Sequence, residues 1–439
     1  MTHTQHPVEI LRLSTCGSVD DGKSTLIGRL LYDSKNLMED QLEALKRSAD
    51  ITGAGQINLA NLTDGLRAER EQGITIDVAY RFFATPKRRF IVADTPGHIQ
   101  YTRNMVTGAS TANLSIVLVD ARQGVTEQTR RHTYLAALLG IPHLVIAINK
   151  MDLVDWSEER FLEIRDEIES FIPKLDAFRD VQFIPLSALN GDNVVLPSKK
   201  MPWHQGPALL GHLETVHIAS DWNLNALRFP VQWVNRPNNP RDPKLHDFRG
   251  LSGQIAGGIV RKGQTVIVLP SGLKTNVREI WTYDGSQAEA FCPQSATLCL
   301  ADDIDVSRGD MIVGLDNLPG CGVDLHACVC WMHQRSLQPG RKFFFKHTTQ
   351  TAQAVVVTLE SRINMATFEP EPEPPALAIN DIGVIRLKIS KPIVFDGYTT
   401  NRLTGSFILI EQGTNATAAA GMLFAPTQTV KPEYTDFAI

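Results

Sequence analysis

Gly17-Ser18-Val19-Asp20-Asp21-Gly22-Lys23-Ser24 stands between an apolar run and a stretch with Leu26, Ile27, Leu30 and Leu31 at helical spacing. It fits G-x-x-x-x-G-K-[ST] in the strand-loop-helix context that gives this pattern its meaning. Glycines let the main chain wrap a phosphate closely, loop amides point inward, and the helix N-terminus adds positive potential. Lys23 is then placed to reach β- and γ-phosphates. Ser24 offers a hydroxyl to Mg²⁺, a hard cation that takes oxygen ligands. A glycine-rich turn without a ligand would explain the spacing but not the flanking strand and helix.

The loop does not separate adenine from guanine nucleotides. Asn149-Lys150-Met151-Asp152 does, because it follows the apolar run Leu144 to Ile148 and so lies at a strand's carboxyl end, where open α/β sheets bind ligands. Asp152 can accept from guanine N1 and N2, a donor pair that adenine lacks. Taken alone, an aspartate there could equally cap a helix. Its order after the phosphate loop decides for base reading. Ser187-Ala188-Leu189, further on, is placed to meet guanine O6 through its amides.

Between the two motifs lies Asp94-Thr95-Pro96-Gly97-His98, again after an apolar strand, a D-x-x-G switch. Asp94 is expected to hold Mg²⁺ through water, and Gly97 to meet the γ-phosphate by its amide. Upstream, Thr75 in Gly73-Ile74-Thr75-Ile76 is expected to complete the metal shell, so that losing the γ-phosphate releases both segments. His98 is the candidate catalytic residue, orienting the attacking water. The predicted nucleotide site therefore comprises Gly17 to Thr25, Asp94 to His98, Asn149 to Asp152 and Ser187 to Leu189, with Ser24, Thr75 and Asp94 serving the metal.

From Ile10 to about Ser187 short apolar runs alternate with amphipathic stretches, the pattern of a mainly parallel sheet carrying helices on its faces. Phe90 to Ala93, Ile116 to Val119, Leu144 to Ile148 and Phe183 to Leu186 are predicted strands. A helix is predicted from Gln128 to Leu139, closed by Gly140, and another after Asp155, paired with Glu158 in a capping box.

Beyond about Asn225 β-branched and aromatic runs broken by glycine and proline predict short antiparallel strands closed into two barrels. Gly263 to Leu269 before Pro270-Ser271-Gly272, and Gly383 to Ile389, are examples. The expected division is a nucleotide-binding domain over 1–225, barrels over 226–321 and 322–425, and a frayed tail over 426–439. Proline-broken Arg236 to Phe248 and Phe368 to Pro375 are predicted loops.

Composition narrows the function further. At 439 residues the chain exceeds what one core usually serves, and a net charge of −5 supplies no cationic field for nucleic acid. Met1 to Ile10 lacks a secretory pattern, so the mature chain is expected to begin near Met1. Apolar runs are strand-length, far below the roughly 20 residues that cross a bilayer. Six irregularly placed cysteines fit reduced thiols in the cytoplasm. Cys321, His326, Cys328, Cys330 and His333 cluster, but without the paired spacing of structural zinc, so none is expected.

The motifs together resemble the translational GTPase superfamily, in which a GTP-binding domain precedes two β-barrels. Gly17 to Leu31, Asp64 to Tyr80, Asp94 to Met105, Gln128 to His132 and Arg228 to Pro237 narrow the resemblance to the GTPase subunit of two-subunit sulfate adenylyltransferases, over nearly the whole chain. That resemblance implies GTP hydrolysis here, while a smaller partner of different fold moves an adenylyl group from ATP to sulfate, giving adenosine 5′-phosphosulfate and pyrophosphate. Ile99 replaces the acidic residue usual after the switch histidine, and the loop from Asn238 to His246 is longer than the family pattern. Some relatives continue into an adenylylsulfate kinase domain; this chain stops at Ile439, so that activity is expected to be absent. The alternative, on the same architecture, is an elongation-factor-like GTPase delivering aminoacyl-tRNA. A non-catalytic nucleotide-dependent scaffold is third.

Overall fold

Apolar runs that alternate with helix patterns fold into a six-stranded sheet in the order β2-β3-β1-β4-β5-β6. Its strands are β1 (Ile10–Cys16), β2 (Ala79–Ala84), β3 (Arg89–Asp94), β4 (Leu114–Asp120), β5 (His143–Asn149) and β6 (Asp180–Pro185). Every neighbour pair is parallel except β2 with β3. All residues of β4 and β5 are buried, as expected of central parallel strands covered on both faces. The computed structural model describes residues 9–35, 59, 75, 77–98, 102–218, 223–237 and 248–426.

Among the described residues, five α-helices accompany this sheet: α1 (Lys23–Asp33), α2 (Thr102–Ala109), α3 (Glu127–Leu138), α4 (Glu158–Glu169) and α5 (Leu209–Thr215). Helix α1 buries Leu26, Ile27, Leu30 and Leu31 in one core with Leu11 and Leu13 of β1 and Ile116 and Leu118 of β4. Thr126 caps α3 in a reciprocal box with Thr129. Helix α4 corrects the sequence reading: its cap is Ser157, which accepts from Arg160 N, whereas Asp155 closes the preceding short turn Met151–Val154 in a left-handed conformation. Both residues have capping chemistry; the left-handed backbone at Asp155 and Trp156 moves the helix start beyond them.

The chain divides into two compact units, Met1–Asp221 with Met365–Phe368, and Trp222–Asn364 with Glu369–Ile439. Within the second, an eight-stranded antiparallel sheet runs from Arg228–Pro230 to Trp233–Asn235, and a bridge between Arg228 and Gly257 draws its ends together. A further sheet closes into a barrel because Lys342–His347 pairs with both Ser406–Ile410 and Gln350–Ile363. Trp331, Phe343, Phe345 and Phe407 fill it, with Phe345 stacked on Phe407 at 4.7 Å between centroids. Between the two sheets Arg228 forks onto Asp396, Nε and Nη2 each 2.8 Å from a carboxylate oxygen, with both side chains buried.

Phe368 to Pro375 is not wholly a loop. Pro370–Pro372 forms an edge strand on Ser361 to Ile363, where Arg362 pairs with Glu371. An edge is where proline fits a sheet, since one side needs no N–H donor. Predictions over Met1 to Val8, Asn238 to Asp247, the tail after Pro426, Ile99, and Gly73, Ile74 and Ile76 lie outside the described residues, as does most of Asp64 to Tyr80.

Candidate nucleotide-binding site

The strand order reverses at β1, whose two neighbours are β3 and β4, so a crevice forms at their carboxyl ends. The phosphate loop leaves β1 there. Asp20 and Gly22 both take left-handed backbone, with φ of 68° and 89°. At Gly22 this is required: a Cβ would lie 2.4 Å from Asn149 Nδ2. Gly22 also caps α1 without offering a side-chain acceptor, so the first-turn amides are presented toward the loop. Ser24 and Thr25 follow in that first turn. Within the loop, Ser18 N donates to Asp21 Oδ2 at 2.5 Å.

The switch segment closes on the same point. Lys23 Nζ donates to Thr75 Oγ1 at 2.7 Å and to Asp94 Oδ1. Thr95 Oγ1 donates to Thr15 O at 2.7 Å, tying the segment after β3 to the end of β1. Gly97 approaches so near that a Cβ would stand 2.1 Å from Gly17 O, which explains glycine at this step of D-x-x-G. Pro96 is buried, and His98, beyond Gly97, is half-buried.

Asn149, the last residue of β5, connects two motifs distant in sequence. Its Nδ2 donates to Asp21 O at 2.6 Å and its Oδ1 accepts from Ala188 N at 2.9 Å. Lys150 adopts a left-handed conformation and donates to Asp20 O and, at 2.9 Å, to Asp120 Oδ2. Met151 is fully buried, while Asp152 sits half-buried in the short turn after it. Ser187 and Ala188 are buried and Leu189 is exposed.

Three contributors are not evident from motifs. Arg29 on α1 donates to the carbonyls of Ala188 and Leu189, bracing that loop. Thr126, the cap of α3, meets Ser18 Oγ at 3.1 Å. Asp120 ends β4 in register with Asn149, and strand-end alignment would have pointed to it. Burial opposes ionisation of Asp120, but hydrogen bonds from Arg122 and Lys150 override it and hold the carboxyl down at about 2. Burial pushes the Asp21 carboxyl up to about 7, with Asp120 adding to the rise and Ser18 N and Lys150 opposing it.

The donor set fits a magnesium ion. Thr75 and Asp94 already direct hard oxygen donors onto one cationic group, the Lys23 ammonium. Elsewhere, among the described residues, no three His, Cys, Asp or Glu side chains are grouped to hold a metal. Cys328 and Cys330 are buried in Gly320–Trp331, and desolvation pushes the Cys328 thiol up to about 12.

The elongation factor Tu GTP binding domain family matches residues 8–228, and the GTP-eEF1A C-terminal domain-like family matches residues 324–423. Sulfate adenylyltransferase subunit 1 of Alteromonas mediterranea is 50% identical over 98% of this chain and 90% of its own length. The chain belongs to the sulfate adenylyltransferase subunit 1 family. Another family member, from Bacteroides fragilis, is 54% identical over 94% of the chain and 86% of its own length. The bifunctional enzyme CysN/CysC of Mycobacterium tuberculosis H37Rv is 54% identical over 96% of the chain, which spans 68% of that protein. The Ski7 GTPase-like domain of S. cerevisiae, bound to GTP, has a similar fold, with a TM-score of 0.52 at 17% identity over 96% of this chain and 98% of that one. Among the described residues, no helix is long and apolar enough to cross a membrane.

Proposed function

We propose that this chain is the GTP-hydrolysing subunit of a two-subunit sulfate adenylyltransferase. Its hydrolysis drives a smaller partner to form adenosine 5′-phosphosulfate and pyrophosphate from ATP and sulfate. The observation that carries the reading is the convergence of Lys23, Thr75 and Asp94 at the phosphate loop, in a chain half identical to subunit 1 proteins over nearly its full length.

In this reading the amides of Gly17 to Thr25 cradle the phosphates and Lys23 exchanges Asp94 and Thr75 for phosphate oxygens. Ser24 and Thr75 would hold Mg²⁺ directly and Asp94 through water, and the ion, when bound, would supply neutralisation of the phosphate charge. Gly97 reports the γ-phosphate through its amide, and His98 orients water for attack. Asp152 reads guanine N1 and N2, while the Ala188 and Leu189 amides face O6. Asn149 belongs to the same guanine-binding motif and ties it to the phosphate loop, while Asp120 and Arg29 position these groups.

The coupling has a physical motive. A sulfate–phosphate anhydride is strongly uphill to form, and a segment ordered by γ-phosphate and released by hydrolysis offers a second source of free energy.

The test is adenylylsulfate formation by both purified subunits with ATP and sulfate. GTP is expected to raise product yield well above that with a non-hydrolysable GTP analogue. Equal yields would reject coupling, and tight GTP-dependent binding of aminoacyl-tRNA would replace the reading with the elongation-factor one.

A further inference from the structure

The stretch Arg228 to Pro237, RFPVQWVNRP, leaves Trp233 without a role in the nucleotide site. Trp233 is the first residue of an edge strand and is 65% exposed, an unusual position for an indole. Strand register shows what it belongs to. Trp233 pairs with Ser252, Ser252 with Thr297, and Thr297 with Trp281, so the four form one row across four antiparallel strands. The adjacent row, Val234, Leu251, Leu298 and Ile280, faces the core of the same sheet. Because side chains alternate between faces, the tryptophan row must point outward.

The result is a trough with a hydroxyl floor and aromatic sides. Ser252 Oγ and Thr297 Oγ1 share one hydrogen bond at 2.8 Å, which leaves the second hydroxyl's proton able to donate to an occupant. Three strand spacings separate the tryptophan Cα positions, about 14 Å, which admits a polypeptide segment between the indoles. Glu279, two residues before Trp281 on the same face of its strand, fixes that wall by accepting from Trp281 Nε1 at 2.9 Å. Tyr283, fully exposed, extends that wall, and the trough encloses about 520 Å³. Arg308 is the one charged residue lining it among the described residues; Nε and Nη1 donate to Thr349 O and Gln232 O, holding the guanidinium at the rim.

We infer that the Trp233–Trp281 trough is the docking site for a segment of the adenylyl-transferring partner, one that inserts an aromatic or aliphatic side chain beside a carboxylate. The inference rests on the two-subunit reading above. Charge complementarity selects the occupant: Arg308 is the one charged residue of the described lining, and the Glu279 carboxylate on the same face is engaged by Trp281 Nε1, so an apolar segment that brings a carboxylate to the Arg308 rim gains there. Exposed tryptophans with an arginine at their edge are also the residue types that dominate interface energetics. The trough's openness suits a protein segment that buries one anchor and leaves its flanks wet.

Titration calorimetry of the full-length chain with the purified adenylyl-transferring subunit from the same source tests this. Trp233→Ala and Trp281→Ala are each expected to weaken association about 10-fold or more, and Trp281→Phe to retain most of it. Both alanine variants should keep the unstimulated GTP hydrolysis and melting temperature of the parent, since neither side chain supports the core. Undiminished association in both would overturn the trough as the docking site while leaving the two-subunit reading intact. No association by the parent chain would remove both.

Discussion

Asn149 Nδ2 donates to the main-chain carbonyl of Asp21 across a sequence separation of 128 residues, while its Oδ1 receives the Ala188 amide. One carboxamide thereby locks the phosphate loop to the loop proposed to meet guanine. Asn149→Ala leaves two buried main-chain groups unpaired, at about 1–3 kcal/mol. Affinity for GTP and GDP alike is expected to fall about 10-fold or more, measured by fluorescent-nucleotide titration. A selective loss for GTP would instead place Asn149 at the γ-phosphate.

Asp152→Asn exchanges a carboxylate acceptor for an amide that can also donate. The variant is expected to lose affinity for GTP and gain it for xanthosine triphosphate, whose carbonyl at C2 replaces the amino group. Competition binding with the two nucleotides reads this directly, and an unchanged GTP preference would remove base reading from Asp152.

Asp21 makes stability depend on pH. Burial raises its carboxyl from 3.8 to about 7, so between those values the folded protein holds a proton there that the unfolded chain has released. The group's contribution to stability is complete below the unfolded value and is lost as pH rises through about 7. In urea titrations of nucleotide-free protein from about pH 5 to about pH 8.5, Asp21→Asn is expected to flatten this part of the decline. Parallel profiles for parent and variant would contradict it.

Arg228 and Asp396 make a buried, bidentate pair, and Thr404 Oγ1 donates to the same carboxylate at 2.6 Å. Removing Arg228 alone strands a buried charge. Arg228→Ala is expected to destabilise the second compact unit by about 3–5 kcal/mol in urea unfolding. The joint Arg228→Met and Asp396→Leu variant should recover much of that, and a joint loss equal to or larger than the single one would contradict the desolvation argument.

The sequence made legible what depends on local pattern. Leu144 to Ile148 reads as a buried strand because β5 is covered on both faces, and Leu26, Ile27, Leu30 and Leu31 mark the face by which α1 packs. The glycines at 22 and 97 follow from motif chemistry, and the structure supplies the steric reasons. What escaped depends on long-range approach. Arg29 braces the Ala188 loop only because α1 passes close to it, and the Trp233–Trp281 row exists only through strand register. Asp155 and Ser157 could both cap α4; the left-handed step between them, a matter of backbone path, decides for Ser157.

The most direct measurement is equilibrium dialysis of the chain alone with GTP, with and without Mg²⁺, and with ATP as competitor. One GTP bound per chain, tightened by Mg²⁺ and undisturbed by excess ATP, is the expected result. Absence of uptake by well-folded protein, or displacement by ATP as readily as by GTP, would contradict both the triphosphate grip and the guanine reading.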